Sequence, residues 1–116
     1  MRPYKRIFKE SLSDDVASYD DAEQIVNISH LEWGETFQSD WGLAQSKCPY
    51  GWRLPSIQEL YTAYKKGVSG FKPEPYWSAT TDSKSGYYAL TIHFRYGGLG
   101  SSGKPSIHNV RCVKEI

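Results

Sequence analysis

Cys48 and Cys112 are the only cysteines in this 116-residue chain, and with His30, His93 and His108 they are the side chains best suited to nucleophilic or transition-metal chemistry. Cys48 opens the run C-P-Y-G-W-R-L-P ending at Pro55, and Cys112 sits in V-R-C-V between Val110 and Val113. A nucleophilic role would pair a Cys48 thiolate with one of the histidines. The expected place of Cys48 at a helix C-terminus opposes this, because the negative helix end raises a thiol pKa. A metal site would have to be assembled across strands, since no two histidines stand at ligand spacing. The third chemistry is a crosslink stapling the end of the chain to its middle. Closing a loop of that length stabilises a fold by about 4 kcal/mol on loop-entropy grounds. A reducing cytosol would instead leave two buried thiols side by side, and the absence of a C-x-x-C pair leaves both states open. Contact between the two sulfurs is expected in either state.

A second motif promises more than it delivers. Residues Gly98 to Lys104 read G-L-G-S-S-G-K, which meets both G-x-G-x-x-G and the glycine-lysine part of a P-loop. Phosphate binding needs a helix after the loop, with free amides and a positive end facing the anion. Here Pro105 stands where a Walker motif requires Ser or Thr, and Ile107, Val110 and Val113 favour a strand. Gly97 to Pro105 is therefore expected to be a flexible hairpin loop, available as a contact surface.

Several elements must position these residues. Ser39 or Asp40 can cap a short helix carrying Trp41, Ala44 and Cys48 on one face, ended by Pro49 and Gly51. Ser56 and Glu59 form a capping box for the clearest helix, with Ile57, Leu60, Tyr61 and Tyr64 facing inward and Gly67 as its stop. Tyr76 to Thr81 reads as a strand and Asp82 to Gly86 as a turn. From Tyr87 to Tyr96 the alternation predicts a strand: Tyr88, Leu90, Ile92, Phe94 and Tyr96 on one face, Tyr87, Ala89, Thr91, His93 and Arg95 on the other. Ile107 to Val113 is the closing strand. Near the N-terminus, Tyr4 to Phe8 suits an edge strand, Ser13 to Val26 a weak amphipathic helix, and Ile25 to Trp33 also reads as a strand. The sum is one α+β domain, with two short helices packed on a small, mainly antiparallel sheet. Residues 1–32 form an N-terminal arm of the same domain and 33–116 its core, with Trp52, Leu54, Leu60 and Trp77 as principal core side chains.

Composition removes several functions. A net charge of +1 lacks the basic excess of a nucleic-acid binder, and the basic Arg2, Lys5, Arg6 and Lys9 are offset by Asp14, Asp15, Asp20, Asp21 and Glu23. No apolar run approaches membrane-spanning length. Met1 to Ser13 lacks the apolar core of a secretory signal, which leaves a cytoplasmic protein, a phage protein released by lysis, or a piece of a longer surface protein. Nine Tyr, four Trp and four Phe in a chain of low hydropathy point to a core of few large rings with Tyr hydroxyls at the surface.

Taken in order, Trp41, Ala44 and Cys48, then G-W-R-L-P-S-x-x-E-L from Gly51 to Leu60, Y-W-S-A-T from Tyr76 to Thr80, and V-R-C-V from Val110 to Val113 resemble a bacterial C-type-lectin-like domain family. Its members include the C-terminal domain of bacterial collagen-like adhesins. The chain is also similar to the tip domains of intimin and invasin adhesins and to receptor-binding domains of phage tails. The resemblance covers residues 33 to 114. It implies a C-type-lectin-like fold with neighbouring termini and a disulfide between Cys48 and Cys112. It also implies a binding surface between Thr81 and Asn109. Calcium-dependent sugar binders of this fold carry E-P-N or Q-P-D and W-N-D, where this chain has Glu74-Pro75-Tyr76 and Ile107-His108-Asn109. The resemblance thus implies no calcium cage, and no reactive cysteine pair like that of the related sulfatase-activating enzymes.

The functional expectation is a non-enzymatic, calcium-independent recognition module with no cofactor, displayed outside the cell on a bacterial surface or phage particle. Its partner would be a host or cell-surface glycan or protein, contacted by Tyr87, His93, Arg95, Tyr96, Lys104 and Asn109. Tyr rings and Arg suit such contacts. The alternative is an assembly domain, phage-encoded or cytoplasmic, whose outer strand face packs against neighbouring subunits.

Overall fold

The computed structural model describes residues 15–116, so the expected Tyr4–Phe8 strand lies outside the described residues, as does the start of the Ser13 helix. In chain order the elements are β1 (Val16–Ala17), α1 (Tyr19–Ala22), β2 (Leu31–Trp33), β3 (Phe37–Ser39), α2 (Trp41–Lys47), α3 (Ile57–Lys66), β4 (Pro75–Asp82), β5 (Tyr88–His93), β6 (Gly98–Gly103), β7 (His108–Val110) and β8 (Val113–Glu115). One sheet has the order β3-β7-β4-β5-β6, with β1 added parallel to the far end of β4, and a small second sheet pairs β2 with β8. All pairs are antiparallel except β1 with β4 and β4 with β7. This is the expected α+β architecture with a third, one-turn helix added.

Caps start the helices where the sequence places them. Asp40 Oδ1 accepts from Leu43 N at 2.8 Å to open α2. Ser56 Oγ accepts from Glu59 N at 3.1 Å while Glu59 Oε1 accepts from Ser56 N at 2.9 Å, completing the capping box of α3. The next amide, Ile57 N, donates to Thr80 Oγ1 of β4 at 3.0 Å, which ties the helix start to the sheet. Glu59 also receives Arg53 in a two-pronged pair, both contacts at 2.9 Å, and Arg53 reaches on to Glu115 of β8 at 3.2 Å. Hydrogen bonding to Glu59 holds the guanidinium pKa above its ordinary value. Gly67 stops α3 in the left-handed region at φ 70°, where an L side chain would be strained.

Tyr76 and Trp77, consecutive on β4, are both fully buried and face opposite ways. Tyr76 packs with Ile57, Leu60, Leu90 and Ile92 beneath α3. Trp77 packs with Ala44, Leu54, Ala89, Val110 and Cys112 beneath α2. Leu54, Leu60 and Trp77 are thus core, as expected. Trp52 is only half-buried, at the rim of the second cluster and over Gly34.

Further expectations are corrected. Ala89 and Thr91, on the strand face shared with the expected contacts Tyr87, His93 and Arg95, are buried, because β5 lies between β4 and β6 with side chains packed on both faces. Its strand stops at His93. Gly98–Gly103, expected as a loop, is a strand paired residue for residue with β5. The closing run from Ile107 divides into β7 and β8 in different sheets, with Arg111 and Cys112 between them. The N-terminal helix shrinks to Tyr19–Ala22, of which only Ala22 is buried, and the strand reading of Ile25–Trp33 survives only as β2.

A disulfide joins Cys48, the C-cap of α2, to Cys112, with Cα atoms 5.8 Å apart, and closes the thiol alternative. Replacing both cysteines by serine is expected to lower unfolding free energy by about 4 kcal/mol. Urea unfolding of the pair variant, and of the native chain with and without reductant, measures it. Equal stability of oxidised and reduced protein would contradict the assignment of a stabilising staple.

Candidate functional site

The six expected contact residues do not form one surface. At the β4–β5 turn end, Lys104 places its ammonium 4.1 Å from the centre of the Trp41 ring and donates to Thr81 Oγ1 at 3.1 Å. Trp41 is itself fixed, its Nε1 donating to Ser78 O at 2.8 Å and its amide to Lys104 O at 2.9 Å. Tyr87 and Tyr88 stand beside this pair with ring centres 5.3 Å apart, and Tyr87 leans over Gly103. Asp82 accepts from Ser101 Oγ at 2.6 Å and from Lys84 N at 2.9 Å, and these bonds hold its carboxyl below the usual range.

His93, Arg95 and Tyr96 lie at the other end of β5, in the turn to β6. Gly97 permits the turn with φ 76° and donates to His93 O at 2.7 Å. Tyr96, 70% exposed, has its ring 5.0 Å from that of His93 and 5.6 Å from the Arg95 guanidinium. With about 3.3 Å per residue, Tyr87 and His93 are separated by roughly 20 Å along the strand.

Asn109 belongs to neither end. It is 2% exposed, because β7 is an interior strand between β3 and β4. Its Nδ2 donates to Glu74 Oε1 at 2.8 Å and to Pro75 O at 3.4 Å. The two stretches that stand in for the calcium motifs therefore bond to each other, and Asn109 is removed from the contact set.

A wide concavity lies elsewhere, at the seam between the two sheets. This groove of about 490 Å³ is lined by Trp33, Trp52, Glu32, Glu35, Thr36, Lys72 and Arg111, with Gly34 and Gly70 in its wall. Gly34 lies so close beneath Trp52 that a Cβ would stand 3.3 Å from the indole. Arg111 donates to Gly34 O at 2.7 Å and Ser69 O at 2.8 Å, with its guanidinium 4.5 Å from the Phe71 ring and 5.7 Å from Trp33. Burial holds its pKa below the ordinary arginine value. Behind the wall the Tyr76 hydroxyl shares a hydrogen bond with Thr36 Oγ1 at 2.9 Å and accepts from Lys72 N at 2.9 Å. Sequence reasoning missed this site. Its walls come from β2, the turn before Arg53 and the β7–β8 link, and no local pattern announces that they meet.

The histidines stay apart, and among the described residues no three His, Cys, Asp or Glu side chains gather as a metal would require. His108 Nε2 shares a hydrogen bond with Ser102 Oγ at 2.8 Å, and its ring meets Trp77 edge-on at 4.8 Å.

The sequence profile described as Lcl C-terminal domain matches residues 14–114. No curated protein matches the chain.

Burial holds the His108 pKa below its ordinary value of 6.5, so the folded chain favours the neutral ring. At intermediate pH the unfolded chain binds the extra proton. Its contribution to stability is therefore complete above the unfolded value and is lost as pH falls through the folded one. Urea unfolding between about pH 7.5 and pH 5 should show a shallower decline for His108→Gln than for the native chain. Identical slopes would assign the acid sensitivity to other groups.

Proposed function

The chain belongs to the Lcl C-terminal domain family, a bacterial C-type-lectin-like fold, and from that premise we propose a non-enzymatic, calcium-independent recognition module that holds a glycan in the Trp33–Trp52 groove. The observation that carries this reading is the convergence of two indoles with Glu32, Glu35 and Lys72 around one open concavity. Indole faces match the apolar C–H face of a pyranose ring, while carboxylates and an ammonium answer its hydroxyls. Arg111 is spent on backbone carbonyls and stiffens the wall rather than reaching outward. Calcium independence is supported by Glu74 and Asn109, whose polar atoms satisfy each other. The setting that suits the disulfide is oxidising, as on a bacterial surface or a phage-type particle.

A second reading, a protein ligand gripped by the β5–β6 turn, is favoured by the exposure of Tyr96 beside Arg95. Aromatic and arginine side chains of that kind dominate protein contacts.

Two double variants separate the readings. Glu35→Ala with Lys72→Ala should weaken glycan binding by about tenfold or more, near 1.4 kcal/mol, and leave the melting temperature unchanged. Arg95→Ala with Tyr96→Ala should leave glycan binding intact. Binding is followed on a glycan array and then by quenching of tryptophan emission with the best saccharide. Loss in the turn variant alone moves the site to the hairpin, and a native chain that binds no saccharide overturns the glycan reading.

A further inference from the structure

We propose that the outer edge of β6 is a homodimerisation surface, pairing antiparallel with β6 of a second copy across a two-fold axis. Strand β6 ends the order of the large sheet, and among the described residues no strand lies on its far side. Exposed edges are usually blunted by charge, proline or a bulge. Gly98–Gly103 carries none of these, and its six pairs with β5 run in unbroken register. Two of its three glycines answer to neighbours within the fold. A Cβ on Gly100 would stand 2.9 Å from Thr91 Oγ1, and one on Gly103 3.1 Å from the Tyr87 ring. A side effect is an edge with little side-chain bulk to keep another strand away.

The direction of each amide follows from the ladder. Lys104 N donates to Tyr87 O at 3.0 Å, which makes Tyr88 and Gly103 a pair without mutual hydrogen bonds. Alternation then turns the amides and carbonyls of Gly98, Gly100 and Ser102 toward β5 and those of Leu99 and Ser101 outward.

That outward pattern is self-complementary. An axis through Gly100 sets Leu99 of each copy opposite Ser101 of the other, and both residues then exchange N–H and C=O, giving four hydrogen bonds by symmetry. The two Gly100 residues face each other at the close spacing of a pair without hydrogen bonds, about 4.5 Å between Cα atoms, where glycine leaves room. A second copy therefore fits this edge in hydrogen bonding, and Gly98–Gly103 carries no charge to oppose it.

Sedimentation equilibrium of the full chain from about 1 to 500 µM should show a reversible monomer–dimer equilibrium, in the range expected of a small interface. Amide exchange of Leu99 and Ser101 should slow as concentration rises, while Gly100 and Ser102 stay protected throughout. Ser101→Pro removes an outward amide and the Oγ bond to Asp82 but no backbone bond of the β5 ladder, and Gly98→Lys adds an edge charge where nothing lies within 4 Å of the new Cβ. Each should weaken dimerisation at least tenfold with an unchanged circular dichroism spectrum. If Ser101→Pro fails to fold, Gly98→Lys carries the test alone. The proposal falls if the chain stays monomeric at the highest concentration. It also falls if Leu99 and Ser101 are protected in the monomer, or if the dimer is indifferent to Gly98→Lys.

Discussion

Two adjacent side chains on β4 divide the molecule. The pleat sends Tyr76 toward α3 and Trp77 toward α2, and both rings are wholly enclosed. Burying a phenol and an indole obliges each to satisfy a polar atom. The Trp77 Nε1 donates to Ser39 O at 3.0 Å, which seats β3 ahead of α2. The Tyr76 hydroxyl bonds to Thr36 and Lys72, which fixes the two segments that form one wall of the groove. Shape at the surface thus descends from the polar needs of two residues at the centre.

A second constraint operates around Arg53. Its carboxylate partner Glu59 already serves as the reciprocal half of a helix cap, and Glu115 on β8 completes the cluster. One guanidinium therefore links the start of α3 to the final strand, while Arg53 and Val113 exchange backbone hydrogen bonds at 2.8 and 2.9 Å. Without that bridge β8 would lose one of its two neighbours, and β2, which carries Trp33 into the groove, would lose its partner in turn.

Local signals account for what was legible in the sequence. The caps at Asp40 and Ser56, the stop at Gly67 and the strand around Trp77 each depend on a few neighbouring residues, and all appear as read. The pairing of Cys48 with Cys112 was open on the residues and implied by the family resemblance. Failures came where distant segments decide. Glycines 100 and 103 read as loop because nothing nearby shows that Thr91 and Tyr87 need the space. Thr91 shares a strand face with Tyr87, His93 and Arg95 yet is buried, because alternation cannot reveal a second layer behind the strand. Asn109 looked available until β3 and β4 closed on either side of it. The groove was invisible for the same reason, being a seam between elements far apart in the chain.

The sulfur bridge has a mechanical consequence. Cys48 and Cys112 are separated by 64 positions, a span that contains α3 and β4 through β7. Only β8 and Ile116 follow Cys112 in these 116 residues. Tension applied at Ile116 and resisted at the N-terminal side of Cys48 would therefore travel across the covalent link and bypass the enclosed span. Under load, β8 and β2 would peel apart and β1 and β3, which precede Cys48, would be drawn from the large sheet, while β4 to β7 would bear no extension until a bond between sulfur atoms was cut.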